Sequence, residues 1–270
     1  MTRLFISDID GTLVRKDKVL TEPTVAAIRR LRAAGVPVTL ISARPPSGMI
    51  AHAERLGIDL PMGAFNGGTI VKPDGTVISA AHVPADVAID TLARLRAANI
   101  DRWVFANGKW YASGQDSHHL EREQVAAAID AVYTDDFAAM IDRIDKIVGV
   151  SDDAPLVARV EAELVAAHGS AATIACSQPY YLDITALAAN KGDGVAALAD
   201  AIGVSLADVT VAGDMPNDLP MFARAGQSIA MGQAPQAVRD AATRVTGPTD
   251  EDGLAAAVDA LAELAEQHHL

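Results

Sequence analysis

The chain has 270 residues, with 35 acidic against 22 basic side chains and a formal net charge of −13. That balance excludes broad binding to nucleic acid or to anionic membranes, which needs clustered Lys and Arg, but leaves room for a small phosphorylated ligand at one local cationic site. Half of the residues are hydrophobic, enough for two domains or one large one, and the lone Cys176 rules out an internal disulfide and argues against a thiolate metal site.

Residues 4–7 have the length and bulk of a buried strand, with no signal-peptide pattern before them. Residues 14–20 read as a loop. Thr21 caps a helix that opens at Pro23, presents Val25, Ile28 and Leu31 on one face and stops at Gly35. A second strand over 36–41 precedes a helix over 47–56 that Gly57 ends. Strands at 69–72 and 76–79 flank the turn Pro73-Asp74-Gly75. This strand-helix-strand rhythm predicts a parallel sheet covered by helices.

The rhythm then changes. A helix over 85–97 leads to strands at 102–106 and 109–112, joined by the hairpin signal Asn107-Gly108. A polar helix over 120–128, a strand over 146–150, a helix over 155–168 and strands over 171–176 and 180–185 complete the block. Both tryptophans fall inside it, as do Tyr111, Tyr180 and Tyr181. Residues 82–187 therefore read as an α+β domain inserted into the first, whose halves are 1–81 and 188–270.

The first rhythm resumes with a helix over 194–202, a strand over 209–212 and a helix starting near Asn217. Strands at 228–231 and 244–246 alternate with helices at 235–242 and 253–266. His268 and His269 read as a tail rather than a metal site. No apolar stretch reaches membrane-spanning length, so a cytoplasmic protein is expected.

Four times an apolar strand ends in a polar cluster: Asp8/Asp10, Ser42/Arg44, Asn66 and Asp214/Asn217/Asp218. In a parallel sheet these ends lie on one edge, where such folds bind ligands. Alternation along a strand aims Asp8 and Asp10 at the same pocket. Carboxylates crowded there repel: two charges ~4 Å apart cost about 4 kcal/mol at an effective dielectric near 20. A divalent cation resolves the conflict, and oxygen ligands with few carboxylates suit Mg²⁺.

Asp8 is placed to be a nucleophile and Asp10 a general acid/base. Ser42, Lys191 and Asn217 are candidates for holding the phosphoryl group, and Arg44, Asn66 and Gly67 for contacting substrate. Each has an ordinary counterpart: a strand-end serine, a solvated lysine, a surface arginine, a turn. The combination carries more weight than its parts.

The chain resembles the haloacid dehalogenase (HAD) superfamily, and within it the Cof-like subclass IIB. The resemblance rests on Asp8-Ile9-Asp10-Gly11-Thr12-Leu13, on Ser42-Ala43-Arg44 where relatives often carry Thr-Gly-Arg, on Lys191-Gly192 and on Gly213-Asp214-Met215-Pro216-Asn217-Asp218. Asn66-Gly67-Gly68 looks like the family's Asn-Gly segment. The resemblance implies an α/β fold, a Rossmann-like parallel-sheet core with an inserted α+β cap. It implies Mg²⁺ held by Asp8, Asp214 and the backbone carbonyl of Asp10, with Asp218 in support. The activity implied is hydrolysis of a small phosphorylated metabolite, most plausibly a sugar phosphate, through an aspartyl-phosphate on Asp8. A dehalogenase would not need Asp10. Two alternatives are a phosphomutase of the phosphomannomutase type and a non-catalytic metabolite-binding protein on the same fold.

Overall fold

The computed structural model describes residues 2–268, so His269 of the proposed tail lies outside the described residues. The chain divides into two compact units: residues 1–43, 49–78 and 190–270 form the first, and residues 44–48 and 79–189 the second, which is inserted into it.

The chain opens with β1 (Leu4–Ser7), buried at every position. Helix α1 (Glu22–Ala33) follows; Thr21 caps it by accepting the Thr24 amide, and Val25, Ile28 and Leu31 are buried. Next come β2 (Val38–Leu40), α2 (Ser47–Leu56), β3 (Met62–Ala64), β4 (Thr69–Val71) and β5 (Val77–Ala80). The expected second strand loses its first two residues, and its last, Ile41, survives as a single parallel bridge to Gly63. The turn after β4 closes where Gly75 donates to the Lys72 carbonyl at 2.9 Å.

The second unit contains α3 (Ala85–Ala97), β6 (Asp101–Ala106), β7 (Lys109–Ala112), α4 (Leu120–Ala127), β8 (Ala131–Tyr133), β9 (Ile144–Val150), α5 (Ala154–His168), β10 (Ala172–Gln178) and β11 (Tyr181–Ala186). Its six strands run β10-β11-β9-β6-β7-β8, with only the β7–β8 pair parallel. Alternation sends Val104, Ile147, Leu182 and Ile184 into one core with Val87 and Leu95 of α3 and Val157, Val160 and Leu164 of α5. Trp103, Phe105 and Trp110 form a separate aromatic group, with Trp103 and Trp110 edge to face at 5.2 Å. Strand β8 has no counterpart in the expected pattern. It is short and largely exposed, so no apolar alternation marks it.

The first unit then resumes with α6 (Lys191–Ile202), β12 (Val209–Gly213), α7 (Leu219–Arg224), β13 (Gln227–Ala230), α8 (Gln236–Ala241), β14 (Arg244–Val245) and α9 (Gly253–His268). Its main sheet is wholly parallel, ordered β14-β13-β12-β1-β2. Leu4, Ile6, Val209 and Val211 pack against Val195 and Leu198 of α6, Met221 and Phe222 of α7 and Val238 of α8. No described helix is long and apolar enough to cross a membrane.

Candidate active site

Strand β1 lies between β12 and β2, so chain order reverses across it and three strand ends meet on one edge. Asp8 directly follows β1, and its amide donates to the Ala212 carbonyl at 2.9 Å. Asp214 directly follows β12. Asp8, Asp214 and Asp218 are all buried, and one carboxylate oxygen from each lies within 4.8 Å of the others. Strand β1 ends at Ser7, so Asp8 and Asp10 both sit on the loop beyond it, where strand alternation no longer sets direction. The Asp10 carboxylate pairs with Lys18 Nζ at 2.6 Å and is about one-third exposed.

Two close approaches hold this edge together. Gly11 has φ +79°, and a Cβ there would lie 2.3 Å from Asp214 Oδ2. Glycine is therefore what lets the turn fold against that carboxylate. Gly67, at φ +88°, would place a Cβ 2.4 Å from the Cα of Gly194 in the first turn of α6.

That first turn carries Lys191. The expected helix started at residue 194; it starts three residues earlier because the Asn190 side chain accepts the Asp193 amide at 2.9 Å and caps it. Lys191 is 1% exposed, and its ammonium donates to Asp8 Oδ1 at 2.5 Å and to Asp218 Oδ1 at 2.6 Å. Asp218 Oδ2 accepts the amides of Asp214 at 2.7 Å and Met215 at 2.9 Å. Both Asp218 oxygens are thus committed to holding the lysine and the loop.

Burial pushes the Asp8 carboxyl up to about 8; Lys191 opposes this, while Asp218 and Asp214 add to it. Burial also raises Asp214 to about 6, helped by Asp218. Burial works against the Lys191 ammonium, but Asp218 and Asp8 more than offset it and hold the group above the usual lysine range. With all groups ionised, three carboxylates face one ammonium, which leaves two negative charges uncompensated in a buried site. A divalent cation fits that deficit. Asp8 and Asp214 have the lone pairs to hold one: Lys191 takes one oxygen of Asp8, and the hydrogen bonds on Asp214, from Thr12 at 3.4 Å and Gln233 at 3.5 Å, are long.

Ser42 is buried; its amide donates to the Gly63 carbonyl at 2.8 Å and its carbonyl accepts the Asn66 amide at 2.7 Å. It pins the Asn66 turn to the end of β2. Asn66, left-handed at φ 58°, accepts from the Asn217 side chain at 3.2 Å. Gly67 presses on α6 behind Lys191. Arg44 groups with the second unit, where its guanidinium donates to the Gly48 carbonyl at 3.1 Å.

The sequence reading did not single out Gln233, Thr12 or Lys18. Gln233 donates to the Gly11 carbonyl at 2.7 Å and accepts the Thr249 amide at 3.0 Å, bracing the turn against which Asp214 lies. Its signal was available: Met231-Gly232-Gln233 follows strand β13, a fourth strand end on that edge. Asn66, expected on the same sheet, instead follows β3 of a separate sheet in which β3 pairs antiparallel with β4.

Residues 5–258 match the family model of haloacid dehalogenase-like hydrolases, and the chain belongs to that family. A putative phosphatase of Haemophilus influenzae is 29% identical over 259 residues, covering 94% of this chain and 96% of that protein. The 5-amino-6-(5-phospho-D-ribitylamino)uracil phosphatase of Bacillus subtilis is 28% identical over 278 residues, with 94% and 96% covered. The crystal structure of a haloacid dehalogenase-like hydrolase from Bacteroides thetaiotaomicron superposes with a TM-score of 0.89 at 25% identity, covering 97% of this chain and all of that one.

Proposed function

We propose that the chain is a Mg²⁺-dependent phosphatase of a small phosphorylated metabolite, with a sugar or sugar-alcohol phosphate as the substrate class. The observation that carries this reading is the buried set of Asp8, Asp214 and Asp218 around a single Lys191 ammonium. A binding module has no use for a nucleophile pre-aligned against a buried cation. The B. subtilis relative, named for a phosphoribityl substrate, supports the substrate class.

Asp8 and Asp214 would hold the metal, which when bound would neutralise charge on the phosphoryl oxygens. A carboxylate oxygen of Asp8 attacks phosphorus, and the bond to the ester oxygen breaks. Asp10 is assigned the proton that goes to that leaving oxygen, which requires the acid to give up its ion pair with Lys18 and hold a proton in the substrate complex. Lys191 supplies fixed positive charge beside Asp8, and the Ser42 hydroxyl is assigned to the phosphoryl oxygens. Water then loses a proton to Asp10 and attacks phosphorus, which frees phosphate and restores Asp8. The second unit is assigned substrate choice. The acidic charge argues against nucleic-acid or anionic-membrane partners, and the single cysteine is compatible with a reducing, cytoplasmic setting.

The test is phosphate release from a panel of phosphomonoesters, with Mg²⁺ present or chelated. Activity should vanish with chelator, return with Mg²⁺ and be absent in Asp8→Asn while that variant stays folded. Turnover by Asp8→Asn would overturn covalent catalysis; sugar phosphate isomerised without phosphate release would make the protein a mutase.

A further inference from the structure

We propose that the second unit carries a metal site of its own, formed by His118, His119 and Asp152, for a borderline divalent cation of the Zn²⁺, Co²⁺ and Ni²⁺ class. No step of the phosphatase reading uses these residues. His118 and His119 end the loop before α4, and Asp152 follows β9 at the start of α5, so the three come from two separate connections.

The donor geometry suits one ion. His119 Nε2 lies 2.9 Å from Asp152 Oδ1, and His118 Nδ1 lies 3.6 Å from Asp152 Oδ2. A donor atom from each residue lies within 4.8 Å of the other two. Metal–ligand distances of about 2.0–2.2 Å separate two ligands of one tetrahedral or octahedral ion by about 3.0–3.5 Å. The two close separations bracket that range before any ion is added, one to each oxygen of Asp152, so the carboxylate can meet an ion between the two rings through either oxygen or both. The third edge closes by turning His118, whose side chain is 70% exposed.

Packing already fixes the central ligand. The buried His119 ring stacks on Tyr180 at 4.1 Å with 10° between planes, meets the edge of Tyr181 at 5.5 Å and has the His118 ring 3.9 Å away. Arg122 donates to the Tyr180 hydroxyl at 2.5 Å and steadies the stack. Ordering cost for His119 is therefore largely met in advance. His118 and Asp152 remain solvent-facing, which gives the ion a route in and water for its open positions. Two imidazoles with one carboxylate select borderline metals over Mg²⁺, so this site and the aspartate cluster differ in chemistry. An ion here would tie the loop before α4 to the turn between β9 and α5. The competing arrangement is a plain His119–Asp152 hydrogen bond with His118 in solvent, and it predicts no specific uptake.

The experiment titrates Co²⁺ into chelator-stripped, full-length protein in excess Mg²⁺, reading visible absorption and tryptophan emission. Trp103 and Trp110 are the only tryptophans, and Trp103 lies 5.4 Å from Tyr181, which touches His119, so a paramagnetic ion at the site quenches them. One equivalent should bind with imidazole-type absorption and quenching, and Zn²⁺ should displace it. His118→Ala and Asp152→Ala, both at exposed positions, should each bind at least about tenfold more weakly. Asp214→Asn should bind as the parent does. Uptake that survives both loop variants, moves with Asp214→Asn or never quenches tryptophan overturns the proposal.

Discussion

The Lys191 ammonium lies 2.6 Å from one oxygen of Asp218, while the other oxygen of that carboxylate accepts the amides of Asp214 and Met215. One fully buried side chain thus fixes the lysine beside Asp8 and the loop that presents Asp214. Asp218 orients the site, and Asp8 and Asp214 face the chemistry.

Asp218→Ala should therefore damage stability and metal affinity together. It leaves Lys191 with Asp8 alone and takes the acceptor from the amides of Asp214 and Met215, a loss of about 1–3 kcal/mol for a buried donor left unsatisfied. Urea denaturation should show a loss of that order, and the Mg²⁺ concentration for half-maximal phosphate release should rise. A variant as stable as the parent would mean the pair is far weaker than its burial implies.

Lys191→Met keeps the unbranched apolar stem, one atom shorter, and deletes the charge. The three carboxylates then face one another without a cation. Phosphate release should fall by about 10²–10³, the usual cost of losing a group that stabilises developing charge. Thermal stability should also depend more on metal: adding Mg²⁺ to stripped protein should raise Tm further in the variant than in the parent. Equal shifts would show that lysine and metal do not share one charge deficit.

Gly67→Ala should cost more than Gly203→Ala, although both positions have positive φ. At Gly203 a new Cβ meets nothing within 4 Å, so only the left-handed backbone cost of about 1–2 kcal/mol applies. At Gly67 it would lie 2.4 Å from the Gly194 backbone, and α6 would have to shift with Lys191 on it. Activity should drop in Gly67→Ala and hold in Gly203→Ala; equal losses in both would remove the case for close packing.

Much of this was legible because local signals and tertiary need agreed. Helices α2 and α3 match their expected bounds, and Asn107-Gly108 turns with φ 53° and 70° as a tight hairpin requires. Asp8, Lys191, Asp214 and Asp218 converge because Asp8 and Asp214 follow parallel strands and Lys191 and Asp218 stand at the starts of helices. What the sequence hid had no local signature. Strand β8 exists through pairing with β7, not through its own pattern. The expected helix began at Gly194, yet α6 already runs through Gly192; glycine stands at both positions because neighbouring backbone approaches too closely for a Cβ. Lys18 became relevant only once the loop brought it to Asp10.

Acid should weaken the second unit through Asp90. On α3, its carboxylate accepts from Arg94 Nε and His168 Nε2, each at 2.7 Å, and these bonds, Arg94 first, hold it below the usual carboxylate range. A depressed folded pKa means the charged form is favoured in the fold. Its contribution is complete above the unfolded value of about 3.9 and is lost as pH falls through the lower folded value. The group is partly exposed, so Asp90→Asn should cost on the order of 0.5 kcal/mol at neutral pH. Urea midpoints of parent and variant, measured from neutrality down to about pH 2, should differ at the start and converge at the end. A gap that stays constant over that range would show that the carboxylate charge contributes nothing to holding α3 against α5.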